Sequence, residues 1–125
     1  MLKKQYRLTK TKDFEKIWQK GRSFFIKEIG IKFLANNLDC SRFGIIVPNK
    51  VIRKAVLRNK IKRRLRNMIK KRMPLIKEGV DCVFLARPGI GELTFQELEE
   101  RVDFILKNSR FNLILNIFKK LGIRY

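Results

Sequence analysis

Runs of apolar residues predict three strands along the chain. Residues 23–35 are rich in β-branched and aromatic types, and residues 42–47 form a second such run that Pro48 terminates. Residues 80–86 are apolar on both faces, which is typical of a strand inside a sheet. We expect the first two strands to pair as a hairpin across the polar turn at residues 36–39, and the third to lie at the centre.

Helical spacing of apolar residues predicts three helices. The first covers residues 12–20, and the second runs from about residue 53 to residue 72, ending before a proline. The third begins at a capping box formed by Thr94 and Glu97. Residues 111–121 continue the helical pattern, either as part of that helix or as another.

The predicted order is helix, strand, strand, helix, strand, helix, which indicates an α+β fold with a small central sheet. Linkers rich in Pro, Gly or Ser are absent from the sequence, as are repeats of fixed period. We therefore expect residues 1–125 to form a single domain with one core.

The second predicted helix is amphipathic and strongly basic. Residues 50–72 contain twelve Lys or Arg and no acid. An apolar stripe formed by Leu57, Ile61, Leu65 and Met68 lies opposite a polar face. This pattern predicts an ordered helix that packs on the core with one side and presents positive charge with the other.

Overall charge extends this picture to the whole chain. The sequence holds 31 Lys plus Arg and 11 Asp plus Glu, which gives a net charge of +20. Such an excess favours a polyanionic partner, with nucleic acid as the first hypothesis. A generic solvated face remains the alternative, although solvated charge runs usually mix both signs. A membrane-binding helix would need a broader apolar face, and a DNA-binding protein would need a helix suited to the major groove.

Residues for protein-borne catalysis are scarce. The chain has no His, and no nucleophile or phosphate-loop motif is present. We assign no catalytic residue and no metal ligand, and we expect Cys40 and Cys82 to be reduced thiols. The N-terminus lacks an apolar signal region and no run is long enough to span a membrane, so we expect a soluble cytoplasmic protein.

Residues 58–66 resemble the RNR signature of the bacterial ribonuclease P protein family, an Arg-Asn pair followed by Lys-Arg and another Arg. The chain departs from this pattern at Lys60, which keeps the charge of the usual Arg without its planar fork. It departs again at Pro48 and Asn49, where a Ser-Lys pair is common. The resemblance covers nearly the whole chain through three further groups: Arg7 and Leu8 with Asp13, Phe14 and Gly21; Arg42, Phe43 and Gly44 with Val47 and Lys50; and Ala86, Arg87 and Pro88 with Leu93, Thr94 and Phe95.

The resemblance implies a protein subunit that assists a catalytic RNA in removing the 5′ leader from precursor tRNA. The RNA subunit would carry the hydrolytic chemistry and hold most of the magnesium. The implied partners are the catalytic RNA and precursor tRNA, without a membrane. The family fold also implies a left-handed crossover that contains the basic helix, whereas general rules favour the right-handed form.

The same resemblance implies two groups of site residues. Those expected to lie against the catalytic RNA are Lys50, Lys54, Arg58, Asn59, Lys60, Lys62, Arg63 and Arg66. Those expected to contact the single-stranded leader are Phe14, Trp18, Lys32 and Phe33. Asn59 can instead fix the local backbone only, and Phe14 and Trp18 can instead pack the first helix onto the sheet.

One alternative function remains open from the sequence. A general RNA-binding module, such as a ribosomal protein, would explain the charge and the fold class without any role in tRNA processing. Salt-sensitive binding does not separate these functions, because each depends on charge.

Overall fold

The computed structural model describes residues 4–76 and 78–108, which form an α+β fold as predicted. The elements are α1 (Thr11–Lys20), β1 (Arg22–Phe25), β2 (Ile29–Ala35), β3 (Arg42–Ile46), α2 (Ala55–Arg72), β4 (Val80–Ala86) and α3 (Phe95–Asn108). The four-stranded sheet has the order β1-β2-β4-β3.

The predicted hairpin between residues 23–35 and 42–47 is wrong. The first run is itself a hairpin of β1 and β2, because Lys27 and Glu28 interrupt it at a turn closed by a hydrogen bond from Ile26 N to Ile29 O. Strand β4 then lies between β2 and β3, antiparallel to β2 and parallel to β3. The parallel pair is connected through α2.

The central position predicted for residues 80–86 is confirmed. Cys82 and Phe84 lie in the main core, which is covered by α2 and α3, while Val83 faces α1. Complete burial raises the pKa of the Cys82 thiol well above its ordinary value, which keeps the thiol neutral. Protein therefore covers β4 on both faces, except at Leu85, which is half-buried.

The apolar stripe of α2 packs as predicted, with one residue added. Ile61, Leu65 and Met68 are buried together with Ile69, whereas Leu57 is half-buried at the edge of the core. The helix ends before Pro74, as expected, but it begins at residue 55 rather than 53. The start is later because Lys54 has an extended backbone.

Ion pairs fix the C-terminal end of α2 to α3. Arg72 donates hydrogen bonds to both oxygens of Asp103, and its Nη2 also lies 2.8 Å from Oε2 of Glu99. These bonds raise the pKa of Arg72, with the Asp103 hydrogen bond as the largest cause. These contacts therefore fix the end of α2 to α3.

Helix α1 covers the other face of the sheet only in part. Its Ile17 is buried against Leu8 and Val83. Its Asp13 forms an ion pair with Arg42 of β3. Arg42 lies 3.3 Å from Asp13 and is bound by both oxygens of Asp81, at 2.9 and 2.7 Å. The hydrogen bond with Asp81 is the largest cause of the raised pKa of Arg42. This network joins α1 to β3 and β4.

The predicted capping box at the start of α3 is confirmed. Glu97 N donates to Thr94 Oγ1 at 3.1 Å, and Thr94 N donates to Glu97 Oε1 at 2.9 Å. The bond from Thr94 N lowers the pKa of Glu97.

The apolar face of α3 is buried, as predicted. It consists of Leu98, Val102, Ile105 and Leu106. The further helical pattern predicted for residues 111–121 lies outside the described part of the chain.

Replacing Thr94 with Ala should destabilise the fold by about 1 kcal/mol, because the first turn of α3 loses its side-chain acceptor. The free energy of unfolding from urea titration measures this loss. Thr94→Ser is the matched control, because it keeps the hydroxyl and should retain most of the stability. An Ala variant as stable as the parent would show that the capping box contributes nothing.

Candidate nucleic-acid interface

The eight residues predicted to dock on RNA lie together on α2 and the loop before it. Asn59, Lys60 and Arg63 are exposed, as are Lys50 and Lys54. The remaining three, Arg58, Lys62 and Arg66, are half-exposed. We call this set the basic surface.

The charge of the basic surface is not neutralised by the described part of the protein. The ion pairs there join Arg42, Arg72 and Arg101 to carboxylates, and none involves the basic surface. The first turn of α2 also contains no acid, and no side chain caps it. The positive end of the helix dipole therefore adds to the charge of the side chains.

Arg58 has a structural contact that the sequence did not indicate. Its Nη1 donates to the carbonyl oxygens of Ile52 and Arg53, at 3.1 and 2.8 Å. These carbonyls belong to the loop that carries Lys50 and Lys54. Arg58 therefore shapes the loop in addition to contributing its charge to the basic surface.

A second surface lies on the side of the sheet that faces α1. Trp18 is 42% exposed, and Lys32 Nζ lies 4.5 Å from the centroid of its ring. Phe14 is half-buried against Gly44, where a Cβ would meet the Phe14 ring at 2.9 Å. Phe14 thus combines packing with partial exposure, while Trp18 presents much of its indole to solvent. The structure brings Phe14, Trp18 and Lys32 to one face, which we call the aromatic surface.

Phe33 does not belong to this second surface, which corrects the sequence-based expectation. It is 2% exposed and lies in the main core with Ile29 and Ile31. Successive residues of a strand point to opposite faces, so Lys32 and Phe33 cannot line the same surface. The alternation along residues 29–33 would have been enough to separate them.

Sequence reasoning also missed an aromatic residue on the open face. Phe25 is 43% exposed and is paired across the strands with Gly30, on the same face of the sheet as Lys32. Arg87 places its Cζ 5.3 Å from the centroid of the Phe25 ring. Cross-strand register was the signal that could have found Phe25, and that register required the β1–β2 turn to be recognised.

A crevice of about 200 Å³ connects the two surfaces. Arg66 of the basic surface and Phe14 of α1 both line it, together with Arg7 from the N-terminal segment. Leu8 N donates to Phe43 O at 2.8 Å, which holds this segment along the edge of β3. The basic surface and the aromatic surface are therefore neighbours across one edge of the sheet.

Within residues 4–76 and 78–108, there is no group of three or more His, Cys, Asp or Glu residues placed to hold a metal ion. Asp13 of α1 and Asp81 of β4 are both bound by Arg42. The same described residues contain no helix long and apolar enough to cross a membrane.

Comparisons with known proteins agree on one family. A family model described as Ribonuclease P matches residues 2–110. The ribonuclease P protein component of Syntrophomonas wolfei is 35% identical over 109 residues, which cover 87% of this chain and 91% of that protein. The corresponding protein of Streptococcus pneumoniae is 36% identical over 109 residues, covering 87% of this chain and 88% of that one.

Similarity of structure leads to the same result. The RNase P protein of Staphylococcus aureus superposes with a TM-score of 0.79 at 32% sequence identity, covering 87% of this chain and 97% of that one. Sequence and fold thus match over most of the length of both proteins, and the chain belongs to the ribonuclease P protein family.

Proposed function

We propose that this chain is the protein subunit of a ribonuclease P ribonucleoprotein that acts in the cytoplasm. In this proposal, the basic surface binds the catalytic RNA, and the aromatic surface beside α1 holds the 5′ leader of precursor tRNA. The protein thereby promotes removal of the leader. Family membership supports the proposal at the level of a ribonuclease P component.

The observation that carries the RNA-binding part is the un-neutralised charge of the basic surface. Lysines and arginines that replace counterions along a phosphate backbone release those ions, which drives association. A rigid helix provides these charges without the cost of ordering a flexible segment. Because α2 is packed on the core through Ile61, Leu65 and Met68, its charges are already arranged before RNA binds.

In this proposal, magnesium is bound by the RNA subunit. The hydrolytic chemistry belongs to the RNA subunit, and magnesium binds mainly to RNA phosphates with waters completing its coordination. The contribution of the described protein residues is to reduce phosphate repulsion, which lowers the magnesium concentration that the RNA requires. Asp13 and Asp81 do not fit a magnesium site because Arg42 occupies their carboxylates.

The open aromatic surface suits an unpaired strand. Bases stack on aromatic rings without requiring a particular sequence, and a nearby cation attracts the backbone. Trp18 and Lys32 provide this combination, with the ring 42% exposed. A leader bound there would stay single-stranded and would follow the sheet towards the crevice beside Arg66.

A reconstitution assay tests the proposal as a whole. Precursor tRNA cleavage by a bacterial ribonuclease P RNA at low magnesium should be stimulated by the parent chain. The Arg58→Ala and Arg63→Ala double variant should lose most of the stimulation, with RNA affinity reduced roughly tenfold or more, because each hydrogen bond to a charged group contributes about 1.5–3 kcal/mol.

The control for lost charge is a double variant outside α2, Lys4→Ala with Lys107→Ala, which should stimulate cleavage like the parent. Both lysines are exposed. Binding of RNA by the parent without any stimulation of cleavage would favour the alternative function, a general RNA-binding module.

Leader binding at the aromatic surface leads to a separate prediction. Trp18→Ala should weaken binding of precursor tRNA to the holoenzyme more than binding of mature tRNA, because only the precursor carries a strand that can stack there. The expected loss for the precursor is about 1–3 kcal/mol. Trp18→Phe keeps a ring and should retain part of the discrimination. Equal losses for the two RNAs would contradict a leader contact at Trp18.

A further inference from the structure

One edge of the Phe25 ring points at the backbone of Gly30. A Cβ placed on Gly30 would fall 2.0 Å from the Phe25 ring, so the ring occupies the space that any side chain at this position would need. Gly30 is buried as a result, while Phe25 itself stays 43% exposed. Covering a glycine in a hairpin stabilises the strands. That role uses one edge of the ring and leaves much of the rest of the ring exposed.

Arg87 is held in place beside this ring. Its Nη1 donates to Ile26 O at 2.8 Å, and its backbone N donates to Glu28 O at 3.0 Å. The guanidinium therefore remains next to Phe25, with its Cζ 5.3 Å from the ring centroid. The described residues place no carboxylate in an ion pair with Arg87. Its plane and remaining donors can serve a base or a phosphate.

The Phe25–Arg87 pair and the Trp18–Lys32 pair lie on the same face of the sheet at neighbouring positions. Phe25 is paired with Gly30, and Trp18 contacts Lys32, two residues further along β2; the Cα atoms of these two β2 residues are about 7 Å apart. This is comparable with the separation of adjacent nucleotides in an extended single strand. Two ring-and-cation pairs are thus placed to receive consecutive bases.

Helix α1 leaves this part of the face uncovered. It packs over Val83 through Ile17 and over Gly44 through Phe14. The neighbouring row across the sheet runs from Phe25 over Gly30 to Leu85, which is half-buried. A strand that crosses Trp18 can continue over this row without displacing α1.

We infer that Phe25 and Arg87 form a second stacking position for single-stranded RNA, which binds a leader nucleotide one or two places beyond the nucleotide at Trp18. This inference rests on the proposed function, because it extends the leader path. The ligand is an unpaired nucleotide, recognised by stacking and by its phosphate rather than by its sequence.

Leader-length dependence tests the inference. The holoenzyme is reconstituted with a bacterial ribonuclease P RNA, and its affinity is measured for precursor tRNAs whose leaders grow by one nucleotide at a time. The parent should gain affinity in successive steps. Phe25→Leu should remove the later step only, a loss of roughly 5- to 100-fold, whereas Trp18→Ala should remove the earlier one.

Two further variants separate stacking from folding. Phe25→Tyr keeps the ring and should restore the later step, while Phe25→Leu keeps apolar cover on Gly30. Arg87→Gln leaves the Phe25 ring in place and should weaken the same step, which provides a second test if Phe25→Leu is unstable to heat.

The matched control is Phe95→Leu. Phe95 is 44% exposed and has the Arg64 guanidinium 5.6 Å from its ring, but it begins α3, which packs with the main core on the other side of the sheet. It should not change affinity for a leader of any length.

The possible outcomes are distinct. A Phe25→Leu holoenzyme with the leader-length profile of the parent would overturn the second stacking position, as would a loss of equal size for mature tRNA. If Trp18→Ala still removes the earlier step, the proposed leader function survives that result. A parent holoenzyme whose affinity is independent of leader length would overturn both.

Discussion

The structure depends on one constraint, which is that β4 must be covered on both faces. Its seven residues pair with β2 on one side and β3 on the other, and apart from Asp81 its side chains are apolar on both faces. One face is closed by α2 and α3. The other is closed by α1 over Val83 but stays open towards Gly30 and Phe25. The incomplete cover on this second face creates the aromatic surface.

The same constraint determines where the charge lies. Covering β4 from the main-core side requires an amphipathic helix, and α2 meets this requirement with its apolar stripe while directing its cations outward. The carboxylates of Asp13, Asp81 and Glu99 are used at tertiary contacts with Arg42 and Arg72. These acids are engaged away from the basic surface, and no ion pair among the described residues neutralises that surface, so α2 keeps its attraction for a polyanion.

Features with a local chemical signature could be predicted from the sequence. The capping box at Thr94, the end of α2 before Pro74 and the central position of β4 each follow from a few neighbouring residues. The turn between β1 and β2 could not be predicted in this way, because Lys27 and Glu28 lack the Gly, Pro, Asn or Asp that usually indicates a turn. Missing that turn gave the wrong hairpin.

The part of the site that lies on one helix could be predicted, whereas contacts that depend on the folded loop and sheet could not. Periodicity along α2 placed the basic surface correctly on the outside, whereas the carbonyl contacts of Arg58 depend on the folded loop at residues 48–54. On the aromatic surface, Phe33 was predicted from the family resemblance, but strand alternation places it in the core. Phe25 joins the surface through cross-strand register, which sequence alone did not supply.

Site-directed crosslinking would test most directly the central claim that the two surfaces bind different RNAs. In a Cys40→Ser background, Asn67→Cys on α2 and Ser23→Cys beside Lys32 each provide one exposed attachment site, since Cys82 is buried. In the holoenzyme bound to precursor tRNA, a photoreactive group on α2 should crosslink to the catalytic RNA, and one on β1 to the leader. Crosslinks from both positions to the same RNA would contradict the assignment of separate surfaces.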